Sequence, residues 1–157
     1  MSVEACPACT GQWPAPEQRI LDCGSTVAYL HDDQFFPGWV FLVLKRHATE
    51  LWQLDPAERS ALVEEAARVA RAVSTAFDAV KVNYELLGNM IAHIHWHLIP
   101  RCPDDPAPRA PVWTVSHEPR RLAARRDGGT HRPDPLAPGR LSRMDPVCVA
   151  VHLEEDR

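Results

Sequence analysis

The alternation of apolar and polar positions divides the chain into strand-like runs around one helical run. Residues 92–101 read AHIHWHLIPR, with histidine at every second place from His93 to His97. Successive side chains of a strand point to opposite faces, so His93, His95 and His97 share one face and Ile94, Trp96 and Leu98 the other. This predicts a strand that buries one face and presents a row of imidazoles on the other. Ser25 to Leu30 and Trp39 to Leu44 read as two more strands, the second almost wholly apolar, and the short loop between them predicts an antiparallel hairpin. Val80 to Leu87 reads as the strand before the histidine row, and Val112 to Val115 as a final one.

The helical run announces its own start. In Asp55-Pro56-Ala57-Glu58, Asp55 suits the N-cap, Pro56 the first helical position and Glu58 the return position of a capping box. From there Leu62, Ala66, Val69, Ala70, Val73 and Phe77 form an apolar stripe, with Glu64, Glu65, Arg68 and Arg71 largely opposite. A helix over 56–77 is predicted, packing its stripe on a sheet face. The expected architecture is α+β, with an antiparallel sheet of about five strands and one long helix on it.

Composition narrows the setting. A length of 157 residues suits one domain with a real core, and 45% hydrophobic with 24% charged residues is ordinary for a globular protein. The net charge of −4 gives no global attraction to nucleic acid or to an anionic membrane. No apolar run approaches the roughly 18 residues of a membrane span, and Met1 to Glu17 lacks the basic start and apolar core of a signal peptide. A cytoplasmic protein is expected, with no membrane partner and no nucleic acid. Five cysteines, an odd number without a signal, argue against a disulfide framework. Residues 1–117 read as the folded domain and 118–157 as a mobile, proline- and arginine-rich extension, with seven arginines between 118 and 143. Within that extension, Val147 to Val151 could add an edge strand or a dimer contact.

The histidine row admits three chemistries: a hydrogen-bonded structural stack, a zinc site using the His-x-His pair, or covalent catalysis by one imidazole oriented by its neighbours. Cys6-Pro7-Ala8-Cys9 is a C-x-x-C knuckle, half of a zinc site, which needs a partner pair.

The row His93-x-His95-x-His97, followed by Leu98-Ile99-Pro100-Arg101 and preceded by Asn83-Tyr84-Glu85-Leu86-Leu87-Gly88-Asn89, resembles the histidine-triad (HIT) family of nucleotide hydrolases and transferases. The similarity spans roughly residues 5 to 117, and it implies a HIT-like fold and a homodimer. It further implies that His95 attacks the α-phosphorus of a nucleoside 5′-phosphoryl compound, giving a nucleotidyl-histidine that water resolves. By the same resemblance the backbone carbonyl of His93 holds the His95 ring, and His97 binds phosphoryl oxygens and assists the leaving group. Asn83, Gly88 and Asn89 become phosphate-side contacts, and Asp32 a ribose contact, with His31 the alternative if the register slips. In some relatives a cysteine pair binds zinc with two histidines; those positions match His47 and His93, giving a Cys6, Cys9, His47, His93 set. The chemistry itself would need no metal.

Substrates implied are phosphoramidates, dinucleoside polyphosphates or nucleotidylated small molecules. Histidine rather than glutamine at position 97 favours hydrolysis over nucleotidyl transfer. Outside the resemblance stand a zinc module or metallohydrolase using the His row as ligands, and a non-catalytic nucleotide- or RNA-binding module using the arginine tail. One position departs from the pattern: Trp39 stands where many relatives carry histidine, and it is expected to fill core. Trp113 is placed to close the leaving-group side of the pocket.

Overall fold

In a computed structural model, which describes residues 2–121, the histidine row enters the sheet as its fourth strand in space. The strands are β1 (Arg19–Asp22), β2 (Thr26–Leu30), β3 (Val40–Leu44), β4 (Lys81–Glu85) and β5 (His95–Arg101), all antiparallel, in the order β1-β2-β3-β5-β4. The expected hairpin is β2–β3, running in register from Thr26 opposite Leu44 to Leu30 opposite Val40. β5 lies against β3 with Phe41 opposite His97 and Val43 opposite His95, and β4 closes the other side with Glu85 opposite His97.

Helix α1 (Pro56–Ala76) begins where its caps dictate. The Asp55 carboxylate accepts from the Glu58 backbone N at 2.8 Å, and the Glu58 carboxylate accepts from the Asp55 N at 2.9 Å. The predicted stripe is the buried face: Leu62, Ala66, Val69, Ala70 and Val73 pack under the sheet. Ala66, Val69, Ala70 and Val73 meet Ala28, Leu30, Val40, Leu42 and Leu98, whose side chains alternate onto that face, while Leu62 packs with Leu44, Leu54 and Ile94. Full burial of each larger aliphatic chain is worth about 1.5–3 kcal/mol, so this one layer fixes helix to sheet. The opposite face is left for chemistry.

Two expectations are revised. The count of five strands is right but the membership differs, since β1 takes the place of the expected strand at 112–115. That segment is a 3-10 turn (Val112–Thr114), whose Val112 joins Phe36, Trp39 and Ile99 in a separate apolar cluster. Glu65, placed on the solvent side of the stripe, is 5% exposed and accepts from the backbone N of Ser25 at 2.8 Å and of Thr26 at 2.9 Å. Three residues after Leu62 and four before Val69, Glu65 stands at the edge of the buried stripe by the helical period itself, where it meets two strand-end amides. The arginine-rich stretch beyond Arg121 and the run 147–151 lie outside the described residues. Among the described residues, no helix is long and apolar enough to cross a membrane.

Candidate active site and metal centre

His95 and His97 project from β5 onto the face away from α1, where a cavity of about 290 Å³ opens beside them. Trp13, His31 and Phe41 wall it on the β2–β3 side. The loop Leu87–Ile91 and Trp113 wall it on the other. Gly88, at φ +79°, and Asn89 both line the cavity.

One hydrogen bond fixes the tautomer of His95. Its Nδ1 lies 2.7 Å from the backbone carbonyl of His93, which can only accept, so Nδ1 carries the proton. In the neutral ring the lone pair then sits on Nε2, which has no hydrogen-bond partner among the described residues. Burial pushes the imidazole pKa below its usual value; the carbonyl bond opposes this without reversing it. His97, with its ring centre 5.0 Å from that of His95, is pushed down to about 3 by burial, with His95 and His31 adding to the effect. Its Nδ1 is buried without a partner. An orphaned N–H there would cost more than a bare lone pair, which places the proton of neutral His97 on Nε2. The pair thus combines a free lone pair on one ring with an N–H on the other.

The ring of His93 points elsewhere. Its Nε2 donates to the Leu44 carbonyl at 2.6 Å, leaving Nδ1 unprotonated, 3.5 Å from Cys6 Sγ and 3.6 Å from Cys9 Sγ. His47 Nδ1 lies 3.3 Å from Cys9 Sγ, and all four ligand atoms fall within 4.8 Å of one another. Tetrahedral zinc with bonds of about 2.3 Å to sulfur and about 2.0 Å to nitrogen has S···N edges of about 3.5 Å, so the donor set fits such an ion. The knuckle backbone aims both sulfurs to one side, with the N of Cys9 and of Thr10 bonded to the Cys6 carbonyl at 3.1 and 3.0 Å. The expected single row of imidazoles is therefore divided. His95 and His97 face the cavity, His93 faces the cysteines, and the three do not converge on one ion.

Two other expected contacts are not brought to the cavity. Asn83 sits on β4 opposite Ile99, and its Oδ1 accepts from an Arg101 guanidinium NH at 3.0 Å, beside a different cavity. Asp32 is exposed and accepts from the Gln18 amide, while His31, one residue earlier at the end of β2, lines the cavity. Trp39 is buried in the Phe36, Ile99 and Val112 cluster as expected, and it also stacks on His31 at 3.8 Å between ring centres.

The sequence model of the HIT domain matches residues 13–104. The chain belongs to the HIT family. A histidine triad protein from Bradyrhizobium japonicum is 32% identical, with 69% of this chain and 81% of that one covered at a TM-score of 0.62. A zinc-bound histidine triad family protein from Mycobacterium smegmatis is 20% identical over 98% of this chain and 96% of its own, also at 0.62. The diadenosine triphosphate hydrolase of Plasmodium falciparum shares 15% identity over 59% of this chain and 66% of its own, at 0.51. The last two show likeness of fold alone. No curated protein matches the sequence.

Within this HIT domain, the residue that sequence reasoning passed over is Trp13. It stands edge-on to both Phe41 and His95, with ring centres 4.8 Å apart in each case. Only its closeness to the C-x-x-C knuckle could have drawn attention to it. Trp113 reaches His97 at 5.2 Å and donates its indole N–H to the Glu85 carboxylate.

Proposed function

We propose that this HIT protein is a nucleotide hydrolase acting at the α-phosphorus of nucleoside 5′-phosphoryl compounds, through a nucleotidyl intermediate on His95. The observation that carries the reading is the 2.7 Å bond from His95 Nδ1 to the His93 carbonyl, because it leaves Nε2 as a nucleophile with a defined direction. The Nε2 lone pair forms a bond to phosphorus, and the P–O or P–N bond to the leaving group breaks. The leaving group departs with a hydrogen bond from the Nε2–H of neutral His97 and takes its proton from water. Water then attacks the phosphorus, losing its proton to solvent, releases the nucleoside monophosphate and restores His95 with its lone pair on Nε2. Negative charge on the phosphoryl oxygens is met by loop amides at Gly88 and by the Asn89 carboxamide, which add no counter-charge to the site. Substrates of this description are phosphoramidates, dinucleoside polyphosphates and nucleotidylated small molecules; a nucleotidyltransferase would use the same intermediate with another acceptor.

Cys6, Cys9, His47 and His93 would hold a zinc ion, whose part is to tie the N-terminal knuckle to the strand that carries His95. A homodimer is the expected assembly and a cytoplasmic location the expected setting.

The test is incubation with a nucleotide radiolabelled at the α-phosphorus, followed by quenching and peptide mapping. An acid-labile, base-stable label on the peptide containing residues 93–97 is expected, and none in His95→Ala. A wild-type protein that turns substrate over without label, or a variant that keeps it, would refute the mechanism.

A further inference from the structure

Beyond the 3-10 turn Val112–Thr114, residues 115–120 run against the turn that joins β2 to β3. Arg120 makes two backbone bonds there: its N donates to the Asp33 carboxylate at 2.9 Å, and its carbonyl accepts from the N of Gln34 at 2.8 Å. The ring of His117 stacks on Phe35, with centres 4.0 Å apart, and meets Phe36 edge-on. This segment links two walls of the cavity. It follows Trp113, whose ring is 5.2 Å from that of His97, and it is fastened to Asp33, whose backbone N donates to Nδ1 of His31 at 2.9 Å.

Both ring nitrogens of His117 face acceptors. Nδ1 lies 2.8 Å from the Val115 carbonyl, and Nε2 lies 2.7 Å from the Asp33 carboxylate. Neither oxygen can donate, so both nitrogens must carry protons, and only the imidazolium has two N–H groups. A neutral ring would set a lone pair against an oxygen at one of the two places. The side chains of His117 and Asp33 are 15% and 17% exposed, so water replaces the lost bond only in part. The charged groups around the ring are Asp33, from the turn, and Glu118, beside it on the same segment. Both favour the proton, and Phe35 and Phe36 add no charge.

We propose that His117 is a protonation-controlled clasp: as an imidazolium it holds residues 115–120 on the turn between β2 and β3, and on losing its proton it lets them go. His117 is thus a positioning residue, acting on the cavity walls through Asp33 and its own segment from outside the cavity lining. The Asp33 carboxylate, held below its usual pKa, stays ionised across the neutral range, so the histidine alone switches. The segment is therefore fastened below the pKa of His117 and released above it. Release uncovers the N–H of Gln34, whose acceptor is the Arg120 carbonyl. The clasp does not depend on which substrate the cavity takes.

The experiment is amide hydrogen exchange by NMR on the full chain with excess zinc, at about pH 6 and about pH 8.5, each rate divided by that of an unstructured amide at the same pH. In wild type the protection of Gln34 and Arg120 is expected to fall about fivefold between the two, as the His117 ring titrates above about 6.5. His117→Arg keeps a charged, planar donor throughout and is expected to keep the protection at both pH values. His117→Phe keeps the stack on Phe35 without an N–H and is expected to show the low value at both. Amides of β3, such as that of Leu42, should not change. Equal protection of Gln34 at the two pH values in wild type would overturn the proposal. So would a fall that persists in either variant, or one shared by β3, which would report on global stability instead.

Discussion

Glu65 offers the sharpest test of how the sheet is joined to the helix. Its carboxylate takes three donors at the start of β2: the N of Ser25, the N of Thr26 and the hydroxyl of Thr26, a residue with no exposed surface. Replacing it by alanine leaves these donors facing the space the carboxylate filled. An unsatisfied buried donor costs about 1–3 kcal/mol, and three would sum to about 3–9. Ser25 is only part-buried, and water entering the vacated volume would satisfy one donor or more, so about 3–5 kcal/mol is expected for Glu65→Ala. Glu65→Gln keeps the shape and one acceptor oxygen but turns an NH₂ towards donors, and about 1–3 kcal/mol is expected there. Urea unfolding at pH 7 with excess zinc, followed by circular dichroism, measures both values. A loss under about 1 kcal/mol for the alanine variant, or a glutamine variant as unstable as the alanine one, would refute the reasoning.

Gly38→Ala places a Cβ at φ +82° and 2.5 Å from the Phe77 ring, which is 5% exposed in the main core. Backbone strain and a displaced ring together predict a loss of about 2–5 kcal/mol by urea unfolding, and a loss below about 1 would mean that Phe77 yields freely. His117 is coupled to Asp33 by a 2.7 Å bond; burial lowers its pKa, but the Asp33 carboxylate and the Val115 carbonyl outweigh this and hold it above the usual value. The pair therefore contributes fully below about pH 6.5 and is lost as pH rises through the folded value. Asp33, held low by its bonds to Arg120, Phe35 and His117 against the effect of burial, keeps that contribution until the pH falls below the usual carboxylate range. His117→Phe should flatten thermal stability between pH 6 and 8 by no more than about 1 kcal/mol, and an unchanged pH slope would exclude the pair as its source. Metal analysis should find about one zinc per chain, and less than half of that in His47→Ala; equal contents would remove His47 from the ligand set.

Much of the fold was legible because local and tertiary signals agree. The capping box at Asp55, the stripe from Leu62 to Val73 and the apolar run of β3 each satisfy their own periodicity and bury the face it predicts. Where the two signals part, the sequence misleads. β1 has only Ile20 and Leu21 as apolar residues and exists by pairing with β2, a long-range fact. Residues 112–115 carry strand-forming types but bury only Val112, so a 3-10 turn suffices. Asn83 matches the family's asparagine only with one residue fewer before Gly88, and here the Arg101 guanidinium binds it. The cysteine–histidine set was legible only through family resemblance, since nothing local links residues 6 and 9 to 47 and 93.

His93 shows why the proposed metal set and the proposed nucleophile cannot be treated as separate parts. Its ring is fixed at both nitrogens, by the Leu44 carbonyl on one side and by the cysteine sulfurs on the other. Its backbone carbonyl is the acceptor that orients His95. A residue held at both ring nitrogens has little freedom to rotate or slide, so the carbonyl inherits the rigidity of the ring. Loss of the knuckle would free one end, and the displacement would pass to His95 through a single hydrogen bond. Covalent chemistry at phosphorus depends on the direction of the attacking lone pair, and a misplacement of about 1 Å can cost about 100-fold in rate. The histidine that faces away from the cavity therefore controls the one that faces into it, and it does so through its main chain.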